Sequence, residues 1–598
     1  MRMQMQMRSQ IRKSLVSLLV AGLAGCTGAM SAGSGSGGTA GPSGSGGNSG
    51  TGTGNTTGSG GNSGTGNSGT GNSTGSGGAT GTGGAVSTVC APGIPQSSQV
   101  PRMTRLQYAT VVKDLLGLTT LTSAGSLPPS ELLAPDSTGS LTDIAWNGYL
   151  TAAEKIAAEV MANATNKTKF ISCDPTQGTC LTDTIKSFGR KAFRRPLTDA
   201  EVTAFSVFNT LTPKGTAADV SEALLYAFLA SPSFIMLPEL AQDKDAASGA
   251  LKLTNFEIAT RLSFLFWNSV PDDILSTAAD KGELQTSAQI LAQAQRLLQS
   301  PKAAAVASTF HRYYAAIEPG SHWVSNTEHN AAKFPAFTAA SYTDAIAEMD
   351  SFFQDVVSSG GTFKDMFVSP SAFVTKSTAA LYGLDPATYT TTPKKVALDA
   401  AKRPGFLTRV GFLSTFSHAD TSSPILRGAF ISGRVLGIPT GTPDPQFLGA
   451  TPPAGNYKTN REATEALTGV APCNSCHTTK VNPPGFVLER YNAVGAWQDT
   501  DALTGPINST ADVMLATGTT KTISTPADLM NEIAMLPSAQ RIYVQQWVAY
   551  ATGRGPNAND ACIVDKIAPN LAGTAYPISK MMADYTQADS FHLRVVGN

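Results

Sequence analysis

The chain has 598 residues, 41% of them hydrophobic, which is enough for three or more packed units rather than one domain. Lys+Arg and Asp+Glu both number 43, so the formal net charge is zero, and the chain lacks the basic block that a nucleic-acid partner would require. Only 14% of residues are charged while Gly, Ser, Thr, Asn and Ala are plentiful, a balance more typical of exported bacterial proteins than of cytosolic enzymes.

The chain opens with a positive segment (Arg2, Arg8, Arg12, Lys13), a short apolar run from Leu15 to Leu23 and small residues before Cys26. This layout predicts an export signal over 1–25, too short to remain as a membrane-spanning helix. "LAGC" (Leu23 to Cys26) resembles the lipobox of bacterial lipoproteins, which makes Cys26 the expected lipidation site and membrane anchor and predicts an outer-membrane or cell-surface lipoprotein. From Thr27 to about Val86 nearly every residue is Gly, Ser, Thr, Asn or Ala. That composition has nothing apolar to bury and predicts a disordered tether over 26–89, with an r.m.s. span of roughly 40 to 45 Å.

Beyond Cys90 the apolar spacing is helical and long strand patterns are hard to find, so the expected fold is mainly α and multi-domain. Predicted helices run over Thr104–Leu118, Asp143–Ala162, Leu181–Arg194, Asp199–Leu211, Ala218–Ala230, Asn255–Trp267, Gln289–Gln299, Tyr342–Ser358 and Gln540–Thr552. Residues 401–512 are richer in Pro and Gly and predict a loop-rich unit between helical ones. Asp272 and Asp273 in "PDD" invite a paired-carboxylate reading but are more simply a helix cap, and "RKAFRRP" (Arg190 to Pro196) reads as a positive helix C-terminus.

Seven cysteines are present. With Cys26 assigned to lipid and Cys473 and Cys476 set aside, four remain: Cys90, Cys173, Cys180 and Cys562. Cys173 and Cys180 enclose the turn-rich "DPTQGT", which favours a bridge between them and leaves Cys90 and Cys562, by elimination, either as a second bridge or as free buried thiols.

Cys473-Asn474-Ser475-Cys476-His477 fits C-x-x-C-H, the attachment pattern of c-type haem. Each thiol would form a thioether with one porphyrin vinyl, and His477 would lie beneath the iron as the proximal ligand. A small disulfide or a metal knuckle uses the same residues, but no second C-x2-C or H-x3-5-H pair accompanies them as zinc requires. An orienting acceptor for the other histidine nitrogen is expected among the backbone carbonyls of Asn482, Pro483 and Pro484, unless "NPPG" is only a turn.

The residues following the motif carry a family resemblance. Pro484-Gly485-Phe486, Leu488-Glu489 and Tyr491-Asn492-Ala493-Val494-Gly495 resemble the haem-motif section of large exported bacterial proteins built from domains of unknown function 1587, 1595, 1592, 1588 and 1585. Arg102–Leu118, Phe188–Leu240, Leu253–Leu284, Arg403–Gly437 and Tyr543–Ile567 resemble these domains in the same order. The resemblance implies units at 90–180, 181–245, 246–400, 401–512 and 513–598, with a cytochrome-c-like module in the fourth. It implies no substrate. Where the family tends to end in Phe-x-Met-Arg, this chain has Phe591-His592-Leu593-Arg594.

A second axial ligand would decide between electron transfer and oxygen or peroxide chemistry. The candidates are His418 and Met514, ahead of Met530, Met535 and His592. Arg403 and Arg427 have the geometry to pair with haem propionates, but an internal salt bridge or a solvated face is the simpler role. The leading expectation is therefore an envelope lipoprotein with one haem c and a redox partner protein. The alternatives are a haem enzyme of peroxidase or oxygenase type, or a haem-free polymer-binding scaffold in which Trp146, Trp267, Trp323, Trp497 and Trp547 include sugar-stacking residues.

Overall fold

The computed structural model describes residues 96–97, 101–122, 127, 142–210, 215–317, 328–441, 449–501, 503–556, 558–573 and 575–596. The export segment, Cys26, the tether, Cys90 and Trp323 lie outside the described residues.

Capping chemistry starts most of the helices. Thr104, Thr198, Thr216, Thr254 and Thr286 precede helices Arg105–Leu116, Asp199–Phe205, Ala217–Leu229, Asn255–Trp267 and Ser287–Leu298. Each closes a reciprocal box with Gln107, Glu201, Asp219, Glu257 or Gln289, satisfying two otherwise orphan N–H groups. The body is mainly α. Three helices begin two or three residues earlier than their apolar spacing predicts, at Ser287, Ala339 and Pro537, because a preceding Thr cap or an N1 proline extends them. The alanine-rich helix Ala303–Ala315 lacks a side-chain cap, and sequence reading misses it.

The described residues form three small sheets. In one, Leu593–Val596 lies between Gln96–Ser97 (parallel, Gln96 opposite Val595) and Leu251–Lys252 (antiparallel, Leu251 opposite Arg594). Hairpins Ser371–Val374 with Lys394–Ala397 and Ala511–Ala516 with Thr519–Ile523 make the others.

Two large apolar cores, with two small clusters beside them, account for the burial among the described residues. One core runs from Met103 to Phe264 and is rich in aromatic contacts, with Phe205 stacked on Phe228 at 4.2 Å. The other runs from Ile258 to Phe591, so the sequence segments 246–400, 401–512 and 513–598 contribute to one continuous apolar interior. Trp547 is fully buried there beside Phe266 and Phe310, and Trp267 donates its indole N–H to the Leu297 carbonyl at 2.9 Å. Neither forms a sugar-stacking platform.

Cys173 and Cys180 form a disulfide with Cα atoms 6.0 Å apart, closing the loop before helix Cys180–Ala192. Cys562 is also disulfide-bonded, but its expected pairing with Cys90 lies outside the described residues. Asp272 caps helix Asp273–Asp280 and accepts two bonds from Arg296, which makes it structural. In "RKAFRRP", Arg190 pairs with Asp280 and Arg195 with Glu201. Arg194 instead turns inward and donates to the carbonyls of Ala192, Ser233, Phe234 and Met236, so it is a buried clasp rather than part of a positive surface.

Candidate cofactor attachment site

The site grows from a closely packed helix pair. Helices Pro424–Phe430 and Asn482–Val487 approach where both chains lack a side chain: a Cβ on Gly428 would fall 1.7 Å from the Val481 carbonyl oxygen, and one on Gly485 would fall 1.9 Å from that of Pro424. Arg427 then clasps the loop that follows. Its Nη1 donates to the carbonyls of Leu488 and Tyr491, and its Nη2 to those of Leu413 and Asn492, all at 2.8–3.1 Å.

The motif precedes this pair. Cys473 opens a single helical turn, Asn474–Cys476, and its carbonyl accepts the N–H groups of Cys476 and His477 at 3.2 and 3.0 Å. The helical i, i+3 spacing brings the two cysteines to one side of the turn. Neither is in a disulfide, and both are half-buried.

Residues His477–Val481 then form a π turn, in which Asn482 N–H returns to the His477 carbonyl. Proline chemistry accounts for the widening: Pro483 and Pro484 have no N–H for the carbonyls four residues earlier, and that of Lys480 accepts from Ser432 Oγ at 2.6 Å instead. The wider turn sets Asn482 against His477 in a second way, with Asn482 Oδ1 3.0 Å from His477 Nδ1. This side-chain amide takes the place that the sequence reading gave to a backbone carbonyl at 482–484. Among the described residues His477 Nε2 has no hydrogen-bond partner.

Asn482 is itself buried, and its Nδ2 donates to Thr468 Oγ1 at 2.8 Å. Helix Asn460–Thr468 turns Thr464 and Thr468 inward, each returning its hydroxyl proton to the carbonyl four residues earlier. At the other end of that helix, Asn460 Nδ2 donates to Glu489 Oε2 at 3.1 Å, as does Ser422 Oγ at 3.2 Å. Burial pushes the Glu489 carboxyl up to about 7 against the opposing field of Arg427.

Four family models match: protein of unknown function DUF1595 over residues 180–239, DUF1592 over 253–384, DUF1588 over 403–501 and DUF1585 over 519–591. The four matched domains stand in the order that the resemblance implied. The DUF1588 unit holds the motif, Asn482, Thr468, Arg427 and Glu489, while the DUF1592 and DUF1585 units share its core. All four are described only as of unknown function. No curated protein and no solved structure gives a significant match.

The remaining predicted residues are dispersed around this DUF1588 unit. Arg403 and Arg427 are buried and committed to backbone carbonyls, so neither offers a fork to a propionate. His418 is exposed. The contacts Ser432 to Lys480, Gly428 to Val481 and Pro424 to Gly485 run antiparallel, which puts the segment before Pro424 toward the end of the helix pair away from His477. Met514 is half-buried on strand Ala511–Ala516, which packs against the His477–Val481 turn. Met530 is buried in the core, Met535 is exposed, and His592 Nε2 is taken by the Thr586 carbonyl at 2.6 Å. Among the described residues no group of three or more His, Cys, Asp or Glu converges as metal ligands, and no helix is long and apolar enough to cross a membrane.

Proposed function

We propose that the chain carries one haem c, bound through Cys473 and Cys476 with His477 as proximal ligand, and serves in electron transfer in the cell envelope. The observation that carries this reading is the arrangement of one helical turn: two half-buried cysteines outside any disulfide precede a histidine whose Nδ1 is anchored and whose Nε2 has no partner among the described residues. This donor set fits the group. Thioether formation adds each sulfur to one vinyl carbon and its proton to the other, so attachment needs thiols rather than a disulfide and no external oxidant. The haem would supply one-electron carriage. The chain's part is to fix the imidazole and to support the turn on the helix pair at Gly428 and Gly485.

Cys26 as lipid anchor belongs to the same reading and rests on the export layout at the N-terminus. For the second axial position Met514 is better supported than His418, because its strand packs beside the motif turn.

Export in a host that matures cytochromes c, followed by a pyridine haemochrome spectrum, tests the proposal. Wild type is expected to give one covalent haem per chain and the C473A/C476A double variant none. A wild type without covalent haem ends the reading. Slow or absent carbon monoxide binding in the reduced state is the expected mark of an electron carrier, and rapid binding points to the enzyme alternative. A C26S protein that still labels with palmitate would remove the anchor.

A further inference from the structure

The hydrogen-bond network beside the motif determines more than a position. Thr468 Oγ1 gives its only proton to the Thr464 carbonyl at 2.6 Å, so toward Asn482 it can act only as an acceptor. The group facing it at 2.8 Å must therefore be the amide NH2 of Asn482, and the amide oxygen must face His477. An oxygen with no proton, 3.0 Å from Nδ1, requires that Nδ1 carry the hydrogen. The neutral ring then has its lone pair on Nε2, the nitrogen with no partner among the described residues. Asn482 is held at both ends, since its N–H also returns to the His477 carbonyl and its side chain is buried.

We infer that Asn482, oriented by Thr468, is a positioning residue that locks His477 in the Nδ1–H tautomer, presents Nε2 as the ligating nitrogen and sets its donor strength. The inference rests on the haem reading for its redox consequence, but the tautomer is a property of the protein without haem. A hydrogen bond from Nδ1 to an acceptor makes the imidazole a stronger donor, and second-sphere partners of this kind are worth roughly 10- to 100-fold in metal affinity or activity when lost. A stronger donor favours ferric over ferrous iron. Loss of the acceptor in N482L should raise the reduction potential. N482D, with a charged acceptor, should lower it. A tenfold change in the relative stabilisation of the two oxidation states is 59 mV for a one-electron couple. T468V keeps Asn482 but removes its orienting acceptor, so its amide is free to flip and a smaller shift in the N482L direction is expected.

Two measurements test this. In haem-free protein, 15N shifts of selectively labelled histidine should report the Nδ1–H tautomer for His477 in wild type and N482D. N482L should give a mixture. If wild type has the Nε2–H tautomer, or if N482L leaves the tautomer unchanged, the inference fails whether or not haem is ever attached. In haem-loaded protein, redox titration should order the potentials N482L, T468V, wild type, N482D from high to low. Covalent haem in all four proteins with one common potential also overturns the inference and leaves the haem reading standing. Absence of haem from wild type ends the haem reading and leaves the tautomer experiment decisive for Asn482. T468V changes one buried hydroxyl to a methyl, which keeps the series informative if N482L does not fold.

Discussion

His311 and His477 both use Nδ1 as a donor within the local chain, yet their surroundings give them opposite prospects. His311 lies in the shared core. Its Nδ1 faces the Ala307 carbonyl at 2.6 Å, its Nε2 faces the Tyr543 hydroxyl at 2.7 Å, and its ring stacks on Phe353. Both nitrogens are used inside the protein, and burial holds the ring neutral by lowering its pKa to about 4. His477 sits on a half-buried turn at the edge of the same core, with one nitrogen used and the other without a partner among the described residues. A histidine that has spent both nitrogens on its own fold is cement, whereas one that has spent a single nitrogen is pre-aimed. Counting partners on each ring nitrogen therefore separates the two roles better than burial alone.

The largest effect should come from the support under the edge site. Gly485→Ala places a methyl against the Pro424 carbonyl and should destabilise by more than about 4 kcal/mol or prevent folding of the DUF1588 unit. Gly433→Ala, whose Cβ would meet nothing nearer than Thr440 Oγ1 at 3.8 Å, should change stability by less than about 1 kcal/mol. Equal urea midpoints for the two variants would show that the close approach of the helices does not matter. Next, His311→Ala should cost about 2 to 4 kcal/mol, through a cavity and a stranded Tyr543 hydroxyl, while His477→Ala should cost under about 1 kcal/mol. If the two variants unfold alike, the contrast between cement and site collapses.

A smaller and separable effect is pH dependence. Because the folded pKa of His311 lies below the ordinary 6.5, its contribution is present above pH 6.5 and is lost as pH falls from 6.5 through about 4, by up to about 3 kcal/mol. Glu489 runs the other way. Its folded pKa of about 7 lies above the ordinary 4.5, so its contribution is present below pH 4.5 and is lost as pH rises through 7. Urea unfolding across pH 4 to 8 should show Glu489→Gln gaining stability relative to wild type from pH 5 to pH 8. A difference that stays constant over that range would mean that Glu489 does not titrate with folding.

The helices and the C-x-x-C-H string were legible in the sequence, because both are local: a capping threonine followed by a partner three residues on, or two cysteines and a histidine, is complete within a few positions. It did not carry the inward turn of Arg194 and Arg427, since the carbonyls they clasp belong to segments up to 65 residues away. Asn482 was missed for a different reason. Its prolines suggested a carbonyl-rich turn, and only the π geometry those prolines impose brings residue i+5 onto the histidine. A faint signal existed in Thr464 and Thr468, two hydroxyls at helical spacing facing inward on a helix with little apolar face. The shared core was equally hidden, because family-sized segments read along the chain give no hint that three of them close over one interior.

The sheet that joins Gln96–Ser97 to Leu593–Val596 has a mechanical meaning. Gln96–Ser97 is the first described element of the chain, ahead of every described helix, and its partner strand is held on the other edge by Leu251–Lys252. The start of the described body is thus fastened to its own C-terminal strand. Trimming the last few residues would remove no part of the C-x-x-C-H site, but it would take away this fastening.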